Sequence, residues 1–195
     1  MVLRPLDAME ASGLRALVER SRRGDETAFE RLIEPRLRSM LRLALAIVGD
    51  ETDARDAVQE ACVHAWRELP RLREPDRFEA WLGRILTNSC RMTLRGRRRR
   101  RLREVAVGLF DDDRGASILE RPVEGPSENI EDLDMLSRAF DRLDPDLRIG
   151  LTLHHLEGRS LAEVADLTGV SLATAKWRIH VGRNALGRAL EAERP

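Results

Sequence analysis

The chain has 195 residues, of which 42% are hydrophobic and 35% charged, enough apolar material for one larger or two small packed domains. No stretch is apolar for long enough to span a bilayer, and Met1 does not open the basic, apolar and small-residue succession of an export signal, so a cytoplasmic protein without membrane insertion is expected. Cys62 and Cys90 lie in apolar-periodic segments and form no CxxC pair, which points to two small buried hydrophobes, not to a disulfide framework or a thiolate metal cage.

Thirty-four basic side chains are balanced by 34 acidic ones, but the balance hides a segregation. Residues 1–103 carry 23 basic and 16 acidic groups, residues 104–134 carry 2 and 10, and residues 135–195 carry 9 and 8. Screening confines each block's field to about 10 Å, so the blocks act as separate surfaces. Lys176 is the only lysine; all other cations are arginines, whose planar fork suits phosphates and base edges.

In chain order, Phe29, Leu32, Ile33, Leu37, Met40, Leu41, Ala44, Leu45 and Val48 recur at three- and four-residue intervals up to Gly49-Asp50, predicting one or two amphipathic helices. A second run from Asp53 to Leu69 sets Ala57, Val58, Ala61, Cys62 and Ala65 against Asp53, Asp56, Gln59 and Glu60, and Pro70 stops it. Asp76 and Glu79 have capping-box spacing after Pro75, predicting a new helix there. At 100° per residue that helix places Phe78, Trp81, Leu82, Ile85 and Met92 on one side and Arg77, Arg84, Asn88, Arg91 and Arg95 on another. The cationic stripe runs on into five consecutive arginines, Arg97–Arg101, a pattern fitted to nucleic acid. Trp81 borders the two faces, and core packing is the expected role for it.

Residues 104–132 lose periodicity and hold Asp111-Asp112-Asp113 with scattered Gly and Pro, predicting a flexible acidic linker. Helical spacing returns through Leu136, Ala139, Phe140 and Leu143, and Asp144-Pro145 restarts a helix. The expected fold is therefore all-α, with two small helical domains over 12–103 and 133–193 joined by the 104–132 linker.

The segment Ser160–Ile179 has the layout of a helix-turn-helix. Ser160 and Glu163 can cap the first helix, Ala165 is small enough for a close crossing, Gly169 supplies the turn and Ser171 can cap the second helix. On that second helix Ala175, Ile179, Gly182 and Leu186 are expected to face inward, leaving Lys176, Trp177, His180 and Asn184 outward with Thr174 and Arg178 beside them, a donor array fitted to a major groove. His154, His155 and Glu157 lack the spacing of a metal site. With no phosphate-binding glycine loop, nucleophile elbow or HExxH pair, neither catalysis nor a cofactor is expected.

These motifs, in this order, resemble the extracytoplasmic-function group of bacterial sigma factors, members of the sigma-70 family that direct RNA polymerase. The resemblance rests on Asp25-x-x-Ala28-Phe29, Asp56-Ala57-Val58-Gln59-Glu60-Ala61, Ala65-Trp66-Arg67-x-Leu69, Phe78-x-x-Trp81-Leu82-x-Arg84-Ile85-x-x-Asn88, Leu156-Glu157-Gly158-x-Ser160 and Gly169-Val170-Ser171-x-x-Thr174-x-Lys176-x-Arg178-Ile179-His180. It implies a region 2 helical bundle that docks on the clamp helices of the largest polymerase subunit through Asp53, Asp56, Gln59 and Glu60. The same module would open the promoter −10 element with Leu72, Arg73, Glu74, Asp76, Arg77, Arg84, Ile85, Asn88, Arg91 and Arg95. It further implies a region 4 helix-turn-helix that reads the −35 element through Ser171, Thr174, Lys176, Trp177, Arg178, His180 and Arg183 and touches the flap of the second-largest subunit, and an anti-sigma factor as a further partner. Four residues depart from the family pattern. Ala175 is smaller and Trp177 larger than the residues common at their places, and Glu74-Pro75 replaces a glycine-containing stretch. The alternative is a stand-alone helix-turn-helix regulator acting without polymerase, which would leave the Asp53–Glu60 patch and the acidic linker without a role; an arginine-rich RNA-binding scaffold is a third reading.

Overall fold

The second and third helices of the first module meet at residues whose chemistry sets their ends. The structure, a computed structural model, describes residues 8–107 and 128–193. Helix α1 spans Ala8–Arg22, α2 Glu26–Val48, α3 Glu51–Glu68 and α4 Phe78–Val107. Asp25 caps α2, its Oδ1 accepting the Ala28 N–H at 2.9 Å. At the other end Gly49 takes the left-handed conformation, φ 75°, and its N–H returns to the Leu45 carbonyl at 2.8 Å; a side chain there would be strained. Asp50 immediately caps α3 through the Asp53 N–H, so a single tight corner joins two helices. The run from Phe29 to Val48 is thus one helix, which continues through Pro35.

Ala54, Ala57, Ala61 and Ala65 form a wholly buried small-residue face on α3, against which α2 and α4 pack closely. Helix α4 answers with Phe78, Leu82, Leu86, Cys90 and Leu94, all buried, each large one contributing about 1.5–3 kcal/mol on leaving water. This row corrects the expected apolar face at one place, for Met92 is 58% exposed. Residues four apart drift about 40° around a helix of 3.6 residues per turn, and the core-facing row has rotated away from Met92 by that level. The predicted capping box at Asp76 and Glu79 is also absent. Pro75–Arg77 instead form a 3-10 turn, Asp76 pairs with Arg15 of α1 at 3.3 Å, and Glu79 receives a forked contact from Arg36 of α2.

The second module comprises α5 (Glu128–Asp141), α6 (Pro145–Leu151), a π turn over Thr152–Leu156, α7 (Leu161–Thr168) and α8 (Leu172–Glu193). Asp144 caps α6 at the Asp146 N–H, with Pro145 in the first turn. Ser160 and Glu163 form the reciprocal capping box expected of them, and Gly169, φ 69°, closes α7. Ser171 Oγ then accepts the Thr174 N–H at 3.1 Å at the start of α8. Ala165, Ala175 and Ile179 are buried between the helices. Gly182 lets α8 sit close on α6, since a Cβ there would lie 3.1 Å from Leu151 Cγ. Helix α4 extends to Val107 and α5 begins at Glu128, and the middle of the expected linker, 108–127, lies outside the described residues.

The two modules pack against one another. Helix α4 meets α6 and α7, and α2 meets the π turn, so that one apolar cluster runs from Leu32 and Leu86 to Ile149 and Val164. Arg148 of α6, 2% exposed, joins them from within. Its Nε donates to the Ile47 carbonyl at the end of α2 and its Nη1 to Asp141, both at 2.6 Å.

Candidate nucleic-acid interface

The recognition helix α8 is built as its sequence requires. Ala175, Ile179 and Gly182 turn inward, while Lys176, Trp177, His180, Arg183 and Asn184 are exposed. Trp177 is 59% exposed, an unusual state for so large an apolar ring. His180 Nε2 lies 3.4 Å from Asn184 Nδ2. Arg178 differs from its neighbours, being largely buried and turned to within 3.5 Å of Asp146. Behind the motif, His154 Nδ1 contacts the Arg159 carbonyl at 2.7 Å. Desolvation, and then the charges of His154 and Arg183, push the His155 pKa down.

In the first module the loop between α3 and α4 is pinned at two points. Leu72 and Pro75 are buried, whereas Arg73, Glu74, Asp76 and Arg77 are exposed. Leu72 therefore shapes the loop, and the polar residues form its outer surface. Glu74 lies 3.6 Å from Arg77. Along α4, Arg84, Asn88 and Arg95 are exposed while Ile85 and Arg91 are half-buried, and Arg91 donates to Asn88 Oδ1. Trp81 is half-buried against Phe78, ring centroids 5.8 Å apart, in keeping with its expected packing role. Cys90 is buried within α4 and its thiol is pushed up to about 12 by burial, which leaves it inert as a nucleophile.

On α3, Asp56, Gln59 and Glu60 are exposed together, with Val63 beside them. Asp53 is set apart, because Arg97 takes its carboxylate while also donating to the Val48 carbonyl at 2.9 Å. The arginine run thus divides. Arg97 clasps the α2–α3 corner, and Arg99, Arg100 and Arg103 border a groove with Asp56 and Thr93.

Sequence reasoning missed the acidic groups that face α4. Asp141, Asp144, Asp146 and Asp166 all meet α4 arginines. The near-neutral charge of residues 135–195 concealed them, and only the pairing of helices gathers them on one side.

This architecture, a four-helix module with an arginine-bearing helix followed by a helix-turn-helix, is that of a sigma-type initiation factor. The family model for Sigma-70 region 2 matches residues 32–100, and that for Sigma-70, region 4, matches residues 133–186. The chain is 32% identical over 180 residues to the RNA polymerase sigma-H factor of Pseudomonas aeruginosa, covering 90% of this chain and 92% of that one. It is 30% identical over 181 residues to the ECF RNA polymerase sigma-E factor of Escherichia coli K12, with 90% and 93% covered. Among solved structures, CnrH in complex with the cytosolic domain of CnrY matches with a TM-score of 0.58 at 27% identity over 93% of this chain and 99% of that one. The sigma factor RpoE, solved with the anti-sigma factor NepR from Bartonella quintana, matches with a TM-score of 0.58 at 25% identity over 85% and 98%. The chain belongs to the sigma-70 family, in its extracytoplasmic-function group, and is an alternative sigma factor of transcription initiation. No helix of the described residues is long and apolar enough to cross a membrane.

Proposed function

We propose that this sigma factor divides its work among three surfaces. Asp56, Gln59 and Glu60, with Asp53 at their edge, dock on the clamp helices of core polymerase. The exposed loop residues Arg73, Glu74, Asp76 and Arg77, carried on buried Leu72, together with Arg84, Ile85, Asn88, Arg91 and Arg95, capture and open the −10 element. Unstacking a base costs a few kcal/mol, so a pocket that repays it only for the correct base makes melting a sequence test. The α8 face, with Lys176, Trp177 and His180 toward base edges, Ser171 and Thr174 at the capped start, and Arg178 and Arg183 toward phosphates, reads the −35 element. The second module also touches the polymerase flap. The functional units are 12–103 and 133–193, the acidic 104–132 segment threading between them, and an anti-sigma factor holds the free protein in check. The chain carries no catalytic activity of its own; RNA synthesis belongs to the polymerase.

The observation that supports this reading best is the outward array of Lys176, Trp177 and His180 on a helix capped and turned as a major-groove reader is. Runoff transcription with core enzyme on fragmented genomic DNA tests it and yields the promoters. On those promoters Lys176→Ala should weaken upstream-element binding about tenfold, as loss of one good base contact does. Asn88→Ala should leave duplex binding near wild type and reduce permanganate-detected opening. Equal effects of both substitutions on both steps would overturn the division of labour.

A further inference from the structure

Two arginines that belong to none of the proposed DNA surfaces hold the loop between α3 and α4 from opposite sides. Helix α1 packs against both 3-10 turns of that loop, Leu69–Arg71 and Pro75–Arg77, and brings Arg15 Nη2 to 3.3 Å from Asp76 Oδ2. From α2, Arg36 reaches the first turn of α4. Its Nε donates to Glu79 Oε1 at 2.7 Å and its Nη2 shares that oxygen. Its Nη1 donates to the Leu32 carbonyl, and its Cζ lies 5.3 Å from the centre of the buried Phe78 ring. The Arg36 side chain is 14% exposed, that of Arg15 61%.

We propose that Arg36 and Arg15 are positioning residues for base capture, which set the −10 base preference of this chain without belonging to the base pocket. This rests on the assignment of the loop and α4 to the −10 element made above. The loop supplies one wall of that pocket and α4 the other, so the pocket keeps its shape only if the joint between them is fixed. The joint is Arg77-Phe78-Glu79, and Arg36 grips its last two residues. Discrimination between bases needs the contacting groups held within about 0.5 Å by a supporting shell. Too enclosed to meet DNA, Arg36 acts through the joint alone.

Arg15 acts on the outer surface of the loop. An unpaired Asp76 carboxylate would repel the DNA backbone. Beside Arg15 its charge is balanced, and its oxygens remain available to accept from a base amine. The pair is too exposed to matter much for stability, which separates its role from simple support of the fold. Arg15 also precedes the span 32–100 matched by the region 2 model, so α1 brings to the loop a charged group that the matched helices do not supply. Pro75, buried and limited in φ, stiffens the segment between the two grips, and a stiff loop transmits a shift at either end.

The test is transcription by holoenzyme from a promoter library with a randomised −10 element, each template carrying a barcode in its transcribed region. Arg36→Met keeps an apolar stem against Phe78 but cannot pair with Glu79, and Arg15→Gln removes the charge beside Asp76. Each should flatten the preference at one −10 position about fivefold, the lower end of what a mismatched position costs. Affinity for core and preference at the −35 element should stay within about twofold of wild type. Arg36→Lys, which retains a charge for Glu79, should fall between Arg36→Met and wild type. An even loss of transcription across all −10 sequences would show a merely structural role and refute the proposal, as would an unchanged preference in Arg15→Gln, a surface variant that decides the matter even if Arg36→Met does not fold. Should the wild-type chain itself show no preference at any −10 position, the assignment of the loop to that element is what fails, and the positioning role falls with it.

Discussion

Helices α4 and α8 both carry the cations proposed to meet DNA, and their surroundings are opposite. Along α4, Arg84, Arg91, Arg95, Arg98 and Arg101 each have a carboxylate partner from the second module. On α8, Lys176, Trp177, His180 and Arg183 face solvent, and only Arg178 is drawn inward. Amphipathicity decides which side chains leave a helix's core face; the neighbouring module decides whether they remain available. A chain in this form exposes the α8 face proposed to read the −35 element and pairs the α4 arginines proposed to meet the −10 element.

The largest test of this contrast is Arg148→Ala. The buried guanidinium ties the end of α2 to Asp141, and burial already lowers its pKa against the opposing pull of Asp141. Removing it leaves the Ile47 carbonyl without that donor while Asp141 keeps Arg101, so a loss of about 1–3 kcal/mol in urea denaturation is expected, with faster hydrogen exchange at the end of α2. A loss below about 1 kcal/mol would show that the two sides of the contrast are not joined there.

Gly182→Val sharpens the comparison from the other side. Its new side chain would meet Leu151 and the Leu147 carbonyl, overpacking α8 against α6 at a cost of about 1–3 kcal/mol. Faster amide exchange should appear in α8 and spare α2 and α3; equal acceleration everywhere would mean that the modules unfold as one.

The smallest effect is expected at the start of α7. Ser160→Ala removes the capping box, about 1 kcal/mol. The Ser160 N–H and then its hydroxyl hold the Glu163 carboxyl below its usual pKa. A carboxylate depressed by folding stabilises fully above about pH 4 and loses that contribution as pH falls through its lower folded value. Asp25 behaves likewise under the Ala28 N–H and Arg20. The acid limb of thermal stability should therefore be shallower in Ser160→Ala, and an unchanged limb would count against the cap.

Much of this was legible in the sequence because it depends on neighbours in the chain. Gly49, Asp144, the Ser160–Glu163 pair, Gly169 and Ser171 act within four residues of themselves, and the structure uses each as its chemistry dictates. Met92 and the Asp76–Glu79 pair show where local reasoning fails. A straight helical projection ignores the drift of the packed row, and the capping pattern is lost where Pro75–Arg77 take a 3-10 turn and Arg15 and Arg36 engage the two carboxylates instead.

By itself the sequence determined an all-helical chain, the sigma-70 family, and the helix faces that carry its arginines, since periodicity, caps and turn residues are short-range. Only the tertiary structure decided that Asp141, Asp144, Asp146 and Asp166 line the α4 arginines, and that Arg97 and Arg148 close the end of α2. Those partners are 40 to 101 residues apart in the chain. Coulomb attraction depends on distance in space, and no spacing along the chain encodes it.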